Sequence, residues 1–215
     1  MDRFLLLCGG PGSRWDNFLG ITKHLIKING ETLIERNSRL FQPITVGPYP
    51  NATRPLRVKL PESKFLDTEH LWARQGHTVF LFGDVYFSEE AATMINSTFK
   101  SNNWTFYGRS SASGVTGHST GEMFAVSIHA DQLDHFSVCV KQAAATKTRK
   151  VFKEGCANGL GWLTYYLMCG QPTQPKWRNY GNMVEINDFT DDFDTPEQYE
   201  SWLDAFQRHQ GLVRP

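Results

Sequence analysis

The sequence predicts a three-layer α/β fold, in which a mainly parallel, twisted sheet carries helices on both faces. Two short apolar runs, at residues 4–8 and 78–82, have the composition of fully buried strands, and each ends abruptly at glycine. Segments with helical spacing of apolar residues alternate with strand-like segments along the rest of the chain. This alternation indicates right-handed crossovers between parallel strands, whose carboxyl ends are expected to form the ligand site.

The size and charge of the chain set the protein class. With 215 residues, 40% of them hydrophobic, the chain can bury one core, so we expect a single domain over residues 1–215. The 22 basic and 22 acidic residues balance, so no net charge draws the chain to nucleic acid or to a membrane. The first apolar run is too short for a signal peptide, and we therefore expect a cytoplasmic protein with reduced cysteines.

Turn and capping signals place the elements of the first half. An extended segment at residues 23–28 leads to the turn signal Asn29-Gly30, and Thr32 with Glu35 forms a capping box that opens a helix ending near residue 41. Further helices are predicted over residues 65–74 and after Ser88.

The second half shows the same alternation. Strands are predicted at residues 105–107, 123–128 and 183–186, with a helix capped by Asp131 and another at residues 161–168. The serine-, glycine- and threonine-rich residues 109–121 are typical of a loop that could close over a ligand. Thr195 with Gln198, around Pro196, predicts a capped last helix.

A glycine-rich loop follows the first strand, reading Cys8-Gly9-Gly10-Pro11-Gly12-Ser13-Arg14. Glycines allow backbone N–H groups to approach phosphate oxygens closely, and Arg14 adds a cationic fork. The spacing matches neither the dinucleotide fingerprint nor the lysine-ended P-loop, which disfavours a Rossmann dehydrogenase and a P-loop kinase. Taken alone, the loop is compatible with a phosphate site or with a purely structural turn.

The loop and the residues after it resemble the opening of the nucleotidyltransferase family, which typically reads L-x-G-G-x-G-x-R, then P-K-x-L, then N-G-x-x-L-I. Here Thr22 replaces the family's proline before Lys23, and Cys8 stands where alanine is usual. The resemblance implies a Rossmann-like fold of the nucleotide-diphospho-sugar transferase type. It also implies that Arg14 and Lys23 hold the triphosphate and stabilise the departing pyrophosphate. The nucleotide-binding residues implied are Cys8, Gly9, Gly10, Gly12, Ser13, Arg14 and Lys23.

Two acidic motifs resemble the metal-binding carboxylates of the same family. Asp84 ends the second buried strand, where one oxygen could coordinate Mg²⁺, and it joins Arg14 and Lys23 as a catalytic residue. Asp194 precedes a Thr-Pro-Glu helix start and is the second expected metal ligand. Asp192 is its alternative, since alternate residues of an extended stretch point the same way. Acidic residues before a helix can instead simply favour the helix dipole.

The acceptor side is assigned more sparsely. Glu122 lies in a stretch that resembles the one from which family members offer a carboxylate to sugar hydroxyls, and Lys176 is a candidate phosphate contact. We assign nucleotide binding to residues 1–100, and acceptor binding and the C-terminal helix to residues 101–215. A basic stretch fits a solvated helix end better than a nucleic-acid surface; it contains Lys141, Lys147, Arg149, Lys150 and Lys153.

By this resemblance the chain is expected to be a Mg²⁺-dependent enzyme. It would transfer a nucleotidyl group from an NTP to a small phosphorylated acceptor, such as a sugar 1-phosphate, and release pyrophosphate. Two alternatives stay open: a glycosyltransferase of related fold, which would use a nucleotide-sugar donor and could modify nucleic acid, and a binding protein without turnover. No membrane partner is expected.

Overall fold

The computed structural model describes residues 1–8, 14–47, 63–98, 104–109, 112–117, 121–148 and 183–211. The strands of its central sheet are β1 (Arg3–Leu7), β4 (Ile44–Val46), β5 (His77–Phe82), β7 (Trp104–Arg109), β8 (Glu122–His129) and β9 (Met183–Glu185). Two small antiparallel ribbons accompany it: β2 (Lys27–Ile28) with β3 (Glu31–Thr32), and β6 (Val85–Tyr86) with β10 (Asp191–Asp192). The helices are α1 (Leu33–Phe41), α2 (Ser63–Leu66), α3 (Glu89–Thr98), α4 (Leu133–Thr148) and α5 (Pro196–His209).

The central sheet is mixed but mainly parallel, as predicted. Its order is β4-β1-β5-β8-β7-β9. Strand β1 is parallel to β4 and β5, β8 is antiparallel to β5 and β7, and β9 is parallel to β7. Five of the six strands therefore run in one direction, and β8 alone among them runs against it. All six residues of β5 are buried, which is the pattern of a strand covered on both faces.

Aromatic contacts show that helices cover both faces of this sheet. Phe4 of β1 is paired with Val79 of β5, and its ring stacks 5.9 Å from that of Phe41 at the end of α1. Phe80, the next residue of β5, points to the opposite face because successive side chains of a strand alternate. Its ring lies 5.3 Å from that of Phe136 in α4. The predicted three-layer arrangement is thus confirmed.

The local signals at helix ends are also confirmed. The Thr32 hydroxyl accepts a hydrogen bond from the Glu35 N–H, and the Glu35 carboxylate accepts one from the Thr32 N–H. Thr195 and Gln198 form the same reciprocal pair at the start of α5, with proline in its first turn. Asn29 and Gly30 have φ values of 52° and 85°, which suits the tight turn between β2 and β3.

Three element predictions are wrong. Lys23–Leu25 forms a 3-10 helix, so only Lys27–Ile28 of the predicted extended segment is a strand. The predicted helix over residues 65–74 is broken into α2 and a 3-10 turn at Glu69–Leu71. The Thr68 hydroxyl donates to the Phe65 carbonyl at 2.6 Å, which competes with a helical N–H for that acceptor.

The third error concerns the start of α4. The His129 ring, rather than the Asp131 carboxylate, accepts a hydrogen bond at this end, from the Asp131 N–H at 3.3 Å. A 3-10 turn over Ala130–Gln132 then leads into the helix. The helix predicted at residues 161–168 lies outside the described residues.

A close approach of backbone segments surrounds Cys8 at the end of β1. The Gly83 N–H donates to the Leu7 carbonyl at 3.0 Å, and the Cys8 N–H donates to the Val46 carbonyl at 2.8 Å. A Cβ atom on Gly83 would overlap Cys8 Sγ and lie 2.9 Å from the Leu7 carbonyl oxygen. Glycine at position 83 therefore permits the junction from which Asp84 emerges.

We predict that Gly83→Ala lowers the free energy of unfolding by about 1–3 kcal/mol, the usual cost of overpacking a filled interior. Urea unfolding of the purified variant measures this loss. Gly114→Ala is the matched control, because a Cβ there meets nothing within 4 Å. Adding Cys8→Ala to Gly83→Ala is expected to recover part of the loss, and a Gly83→Ala protein as stable as the wild type would contradict the packing described.

Candidate active site

The ribbon of β6 and β10 brings two predicted aspartates together at the carboxyl end of β5. Val85 is paired with Asp192, and Tyr86 with Asp191. Asp84 immediately precedes Val85, so this antiparallel ribbon brings Asp84 to the segment that runs from Asp192 to Asp194. Asp84 and Asp192, more than a hundred positions apart in sequence, thus lie at the same end of the sheet.

Lys23 lies at the centre of this carboxylate group. Its ammonium nitrogen Nζ is 2.5 Å from Asp192 Oδ1, 3.2 Å from Asp84 Oδ2 and 3.8 Å from Asp194 Oδ1. The Lys23 side chain is only 5% exposed. Burial alone would lower the pKa of Lys23, but attraction to Asp192 and Asp84 outweighs it and raises that pKa above its ordinary value. The ammonium is therefore charged at neutral pH.

Arg14 pairs with the third carboxylate of the group, Asp194. Its Nη1 atom lies 2.6 Å from Asp194 Oδ2, while the Arg14 side chain is 67% exposed. The neighbouring Trp15 anchors this segment, because its buried ring packs edge-on against Tyr199 of α5 at 5.9 Å and its indole N–H donates to the Ile21 carbonyl. Arg14 is thus held over the start of α5 and still faces solvent.

Asp192 and Asp194 occupy different environments within the group. Burial raises the pKa of Asp192 to about 7, a rise that Lys23 opposes and that Asp84 and Asp194 reinforce. The Asp194 backbone N–H donates to the Gln198 side chain at 2.7 Å, which ties this aspartate to the first turn of α5. Asp192, the alternative ligand predicted above, is the closer of the two to Lys23.

A buried network of charged and polar groups lies behind Asp192, and its central residue, Arg109, was not predicted from the sequence. Arg109, at the end of β7, contacts Asp191 Oδ1 at 2.6 Å and Glu122 Oε2 at 3.3 Å through Nη2. Its Nη1 donates to the Thr190 carbonyl at 3.1 Å. Asp191 Oδ1 in turn accepts a hydrogen bond from the Asp192 N–H at 2.9 Å. Arg109 thereby fixes the strand that carries Asp192.

Glu122 belongs to this network, with its side chain 14% exposed. Burial, the nearby Asp192 and Asp191 charges and a hydrogen bond with Asp191 raise the pKa of Glu122 to about 10, although Arg109 lowers it. The structure therefore gives Glu122 a structural partner, and its predicted contact with a sugar hydroxyl stays a prediction.

The remaining predicted residues divide into two groups. Cys8 is fully buried between Gly47 and Gly83, and it is not part of a disulfide. The others lie outside the described residues; they are Gly9, Gly10, Gly12, Ser13 and Lys176. Their roles stay predictions.

The donor chemistry of the carboxylate group fits Mg²⁺, which is bound in proteins by one or two carboxylates together with water and substrate phosphates. Asp84, Asp192 and Asp194 direct oxygen atoms toward one common point, the Lys23 ammonium. As arranged here, no three or more His, Cys, Asp or Glu side chains among the described residues form a ready-made metal site. Lys23 stands between the carboxylates in this arrangement.

A cavity of about 200 Å³ opens beside the network, between α5 and the described part of the loop after β7. Asp191 and Phe193 line its inner side, and Thr116 and Gly117 line the loop side. This places residues 112–117 of the predicted closing loop next to the strand that carries Asp192. No helix in the described ranges is long and apolar enough to cross a membrane.

Solved structures share this architecture. The CTP:phosphocholine cytidylyltransferase of Streptococcus pneumoniae aligns over 95% of this chain and 99% of its own, with a TM-score of 0.59 and 12% identity. This chain has the nucleotidyltransferase fold. The inositol-1-phosphate CTP transferase of T. maritima aligns over 99% of this chain and 98% of its own, with a TM-score of 0.50 and 11% identity. No protein-family model and no curated protein matches the sequence.

The comparison confirms the Rossmann-like nucleotidyltransferase fold predicted from the sequence. Both alignments span nearly all of both chains, so the likeness is not confined to the opening segment. At 11–12% identity the shared property is the fold itself.

The raised pKa of Glu122 generates a stability prediction. Between its ordinary value of 4.5 and about 10, the folded protein holds a proton on Glu122 that the unfolded chain releases, so stability falls as pH rises across this window. A glutamine side chain has no carboxyl proton to release. We predict that Glu122→Gln gains stability relative to wild type by about 1 kcal/mol or more between pH 5 and pH 9, since one pKa unit is about 1.4 kcal/mol.

Urea unfolding at several pH values measures this difference. Glu69→Gln, at an exposed position, is the control and is expected to follow the wild type at every pH. A Glu122→Gln protein whose stability relative to wild type does not change with pH would contradict a buried, protonated Glu122.

Proposed function

We propose that this protein transfers a nucleotidyl group from an NTP to a small phosphorylated acceptor, such as a sugar 1-phosphate, and releases pyrophosphate. The observation that carries the proposal is the convergence of Arg14 and Lys23 with Asp84, Asp192 and Asp194 at the carboxyl end of β5. Cations suited to phosphates and carboxylates suited to a metal are the two components that such a transfer requires. The nucleotidyltransferase fold supports the same reaction class.

The proposed reaction is a displacement at the α-phosphorus. A phosphate oxygen of the acceptor attacks this atom and forms a new P–O bond, while the bond to the oxygen bridging the α- and β-phosphates breaks. That oxygen leaves with the electron pair as part of pyrophosphate. Arg14 and Lys23 would bind the β- and γ-phosphates and stabilise the charge that develops on the leaving group.

Mg²⁺ is the proposed cofactor, held by Asp84 with Asp192 or Asp194. It would supply positive charge at the reacting phosphates. Asp84 and Asp192 are fixed by the register of the β6–β10 ribbon, and Asp194 is tied to α5 through Gln198. Rigid carriers of this kind suit a site that has to hold phosphates in one orientation.

The rival function is glycosyl transfer from a nucleotide-sugar, which would use Asp84 to hold the metal of the donor. Such a reaction has no leaving pyrophosphate, so it has less need of two cations. Both Arg14 and Lys23 contact the carboxylate group, which favours nucleotidyl transfer. A binding protein without turnover is the third class, and it would bind nucleotide tightly whether or not Mg²⁺ is present.

The direct test is pyrophosphate release with each NTP and a panel of phosphorylated acceptors, in the presence of Mg²⁺. We expect release with at least one pairing. If the folded protein releases no pyrophosphate from any pairing, and instead transfers sugar from a nucleotide-sugar, the rival function is correct.

Arg14→Ala is expected to lower kcat/KM for pyrophosphate release by about 10²–10³, because a charge-stabilising group of the transition state is removed. Arg39→Ala is the matched control, since Arg39 is also an exposed arginine and pairs with Glu31 of β3 and Glu89 of α3 rather than with Asp84, Asp192 or Asp194. Steady-state kinetics of the two variants measure the difference. Full activity of Arg14→Ala with a nucleotide-sugar would favour the rival.

Asp84→Asn is expected to lower the transfer rate at least about 10²-fold, because a metal-assisted displacement draws several kcal/mol from charge neutralisation. The loss should be accompanied by a higher half-saturating Mg²⁺ concentration. Asp134→Asn, an exposed aspartate in the first turn of α4, provides the control. Equal Mg²⁺ dependence in Asp84→Asn and wild type would remove Asp84 from the metal site.

A further inference from the structure

The two cations that the proposed function assigns to phosphate are already engaged in the protein. Lys23 Nζ is enclosed by three carboxylates, with contacts of 2.5 and 3.2 Å to Asp192 and Asp84. The Arg14 guanidinium pairs with Asp194 at 2.6 Å. These same carboxylates are the proposed metal ligands. In this arrangement neither phosphate nor metal can be bound by its proposed partners without breaking an ion pair.

The position of Lys23 is the more restrictive of the two. Its side chain is 5% exposed, against 67% for Arg14, so its ammonium does not face the solvent from which a phosphate would arrive. A divalent ion placed between Asp84 and Asp192 would lie close to this ammonium. Repulsion between the two cations would oppose metal binding while Lys23 remains there.

The net charge of the site determines how a polyphosphate would change these ion pairs. The group holds two cations and, when fully ionised, three carboxylates, so it has an excess of about one negative charge in the absence of ligand. A polyphosphate offers the cations a more highly charged partner. If Arg14 and Lys23 bind the polyphosphate, the carboxylates lose their counter-ions. A divalent metal that binds the same polyphosphate can then take the place of these cations.

We propose that Lys23 is a resident counter-cation of the Asp84–Asp192 pair, so that these carboxylates bind a divalent metal only together with a polyphosphate that draws the ammonium away. The identity of the polyphosphate rests on the proposed function, whereas the ion pairs do not depend on it. Exposed Arg14 would meet the phosphates first, and Lys23 would follow. Metal and nucleotide would therefore bind with strong positive coupling.

The first test is Mn²⁺ binding to the protein without nucleotide, followed by the electron paramagnetic resonance signal of free Mn²⁺. Wild-type protein is expected to bind Mn²⁺ weakly, and Lys23→Met at least about 10-fold more tightly. Lys27→Met is the matched control, because Lys27 is an exposed lysine on the neighbouring strand, and it should bind like wild type. Adding Asp192→Asn to Lys23→Met should abolish the gain.

Two results of this titration would overturn the inference. One is tight Mn²⁺ binding by the wild type that Asp84→Asn removes, since the ammonium would then be no obstacle. The other is a folded Lys23→Met protein that binds Mn²⁺ no better than wild type. Neither result depends on whether the protein transfers a nucleotidyl group.

Removal of Lys23 leaves three carboxylates without their shared cation, which could prevent folding. Lys23→Gln, a neutral side chain that still donates hydrogen bonds, is therefore a second variant, and thermal unfolding with and without Mn²⁺ is a second measurement. We expect Mn²⁺ to raise the Tm of Lys23→Gln and to leave that of the wild type nearly unchanged. Equal shifts in the two proteins would contradict the inference.

The coupling is tested separately with the nucleotide. Binding of NTP to the wild type, measured by calorimetry in Mg²⁺ and in EDTA, should be at least about 10-fold tighter with Mg²⁺, and by reciprocity NTP tightens Mg²⁺ binding equally. The Lys23→Gln protein should show a smaller ratio. Absence of NTP binding by folded wild type would refute the proposed function while the Mn²⁺ titration still decides the role of Lys23.

Discussion

The buried ion pair between Lys23 and Asp192 is the contact on which the arrangement of the candidate site depends. It joins residues 169 positions apart, the first after the opening loop and the second on a two-residue strand near the last helix. An ammonium out of water loses several kcal/mol of hydration, and it remains buried here because carboxylates lie on more than one side. At an effective dielectric constant of 20, a unit-charge pair at 4 Å contributes about 4 kcal/mol. Several such attractions offset the loss.

This contact requires that Asp192 be held firmly, and the fold does so from two sides. Arg109 joins the carboxylate of Asp191 and the carbonyl of Thr190 to the end of β7. Ser88, at the start of α3, donates through its backbone N–H to Thr190 and through its hydroxyl to Asp188. A strand of only two residues is thereby fixed to the central sheet and to a helix. The hydrogen bonds that cap α3 and the ion pairs that orient the site form one continuous network.

Most interactions between residues close in sequence could be predicted, and interactions between distant residues could not. The capping boxes at Thr32 and Thr195 and the Asn29-Gly30 turn were predictable because each acts within four residues. The helix over residues 65–74 was not, because the Thr68 hydroxyl takes over a backbone acceptor that the apolar spacing does not reveal. The buried strand β5 could be recognised from composition alone, whereas the direction of β8 depends on its partners in the sheet.

The same distinction between predictable and unpredictable features applies to the candidate site. The resemblance to the nucleotidyltransferase family identified Arg14, Lys23, Asp84, Asp192 and Asp194, and the structure brings these five side chains together. It could not identify Arg109, since an arginine ending a strand has many possible partners, and its partner Asp191 lies 82 positions away on β10. Nor could it predict that Lys23 would be buried among the carboxylates.

The separate environments of the aspartates suggest how one group of charges can serve both phosphate and metal. Asp194 lies just before the N-terminus of α5, where the helix dipole favours a carboxylate even without a counter-ion, so its partner Arg14 can leave at low cost. Asp192 has no such support and depends on Lys23, which opposes the rise in its pKa that burial causes. The Arg14–Asp194 pair is therefore the weaker one and the Lys23–Asp192 pair the stronger. A ligand approaching from solvent would meet exposed Arg14 before buried Lys23, so that phosphate binding at Arg14 precedes the release of Asp192 from Lys23.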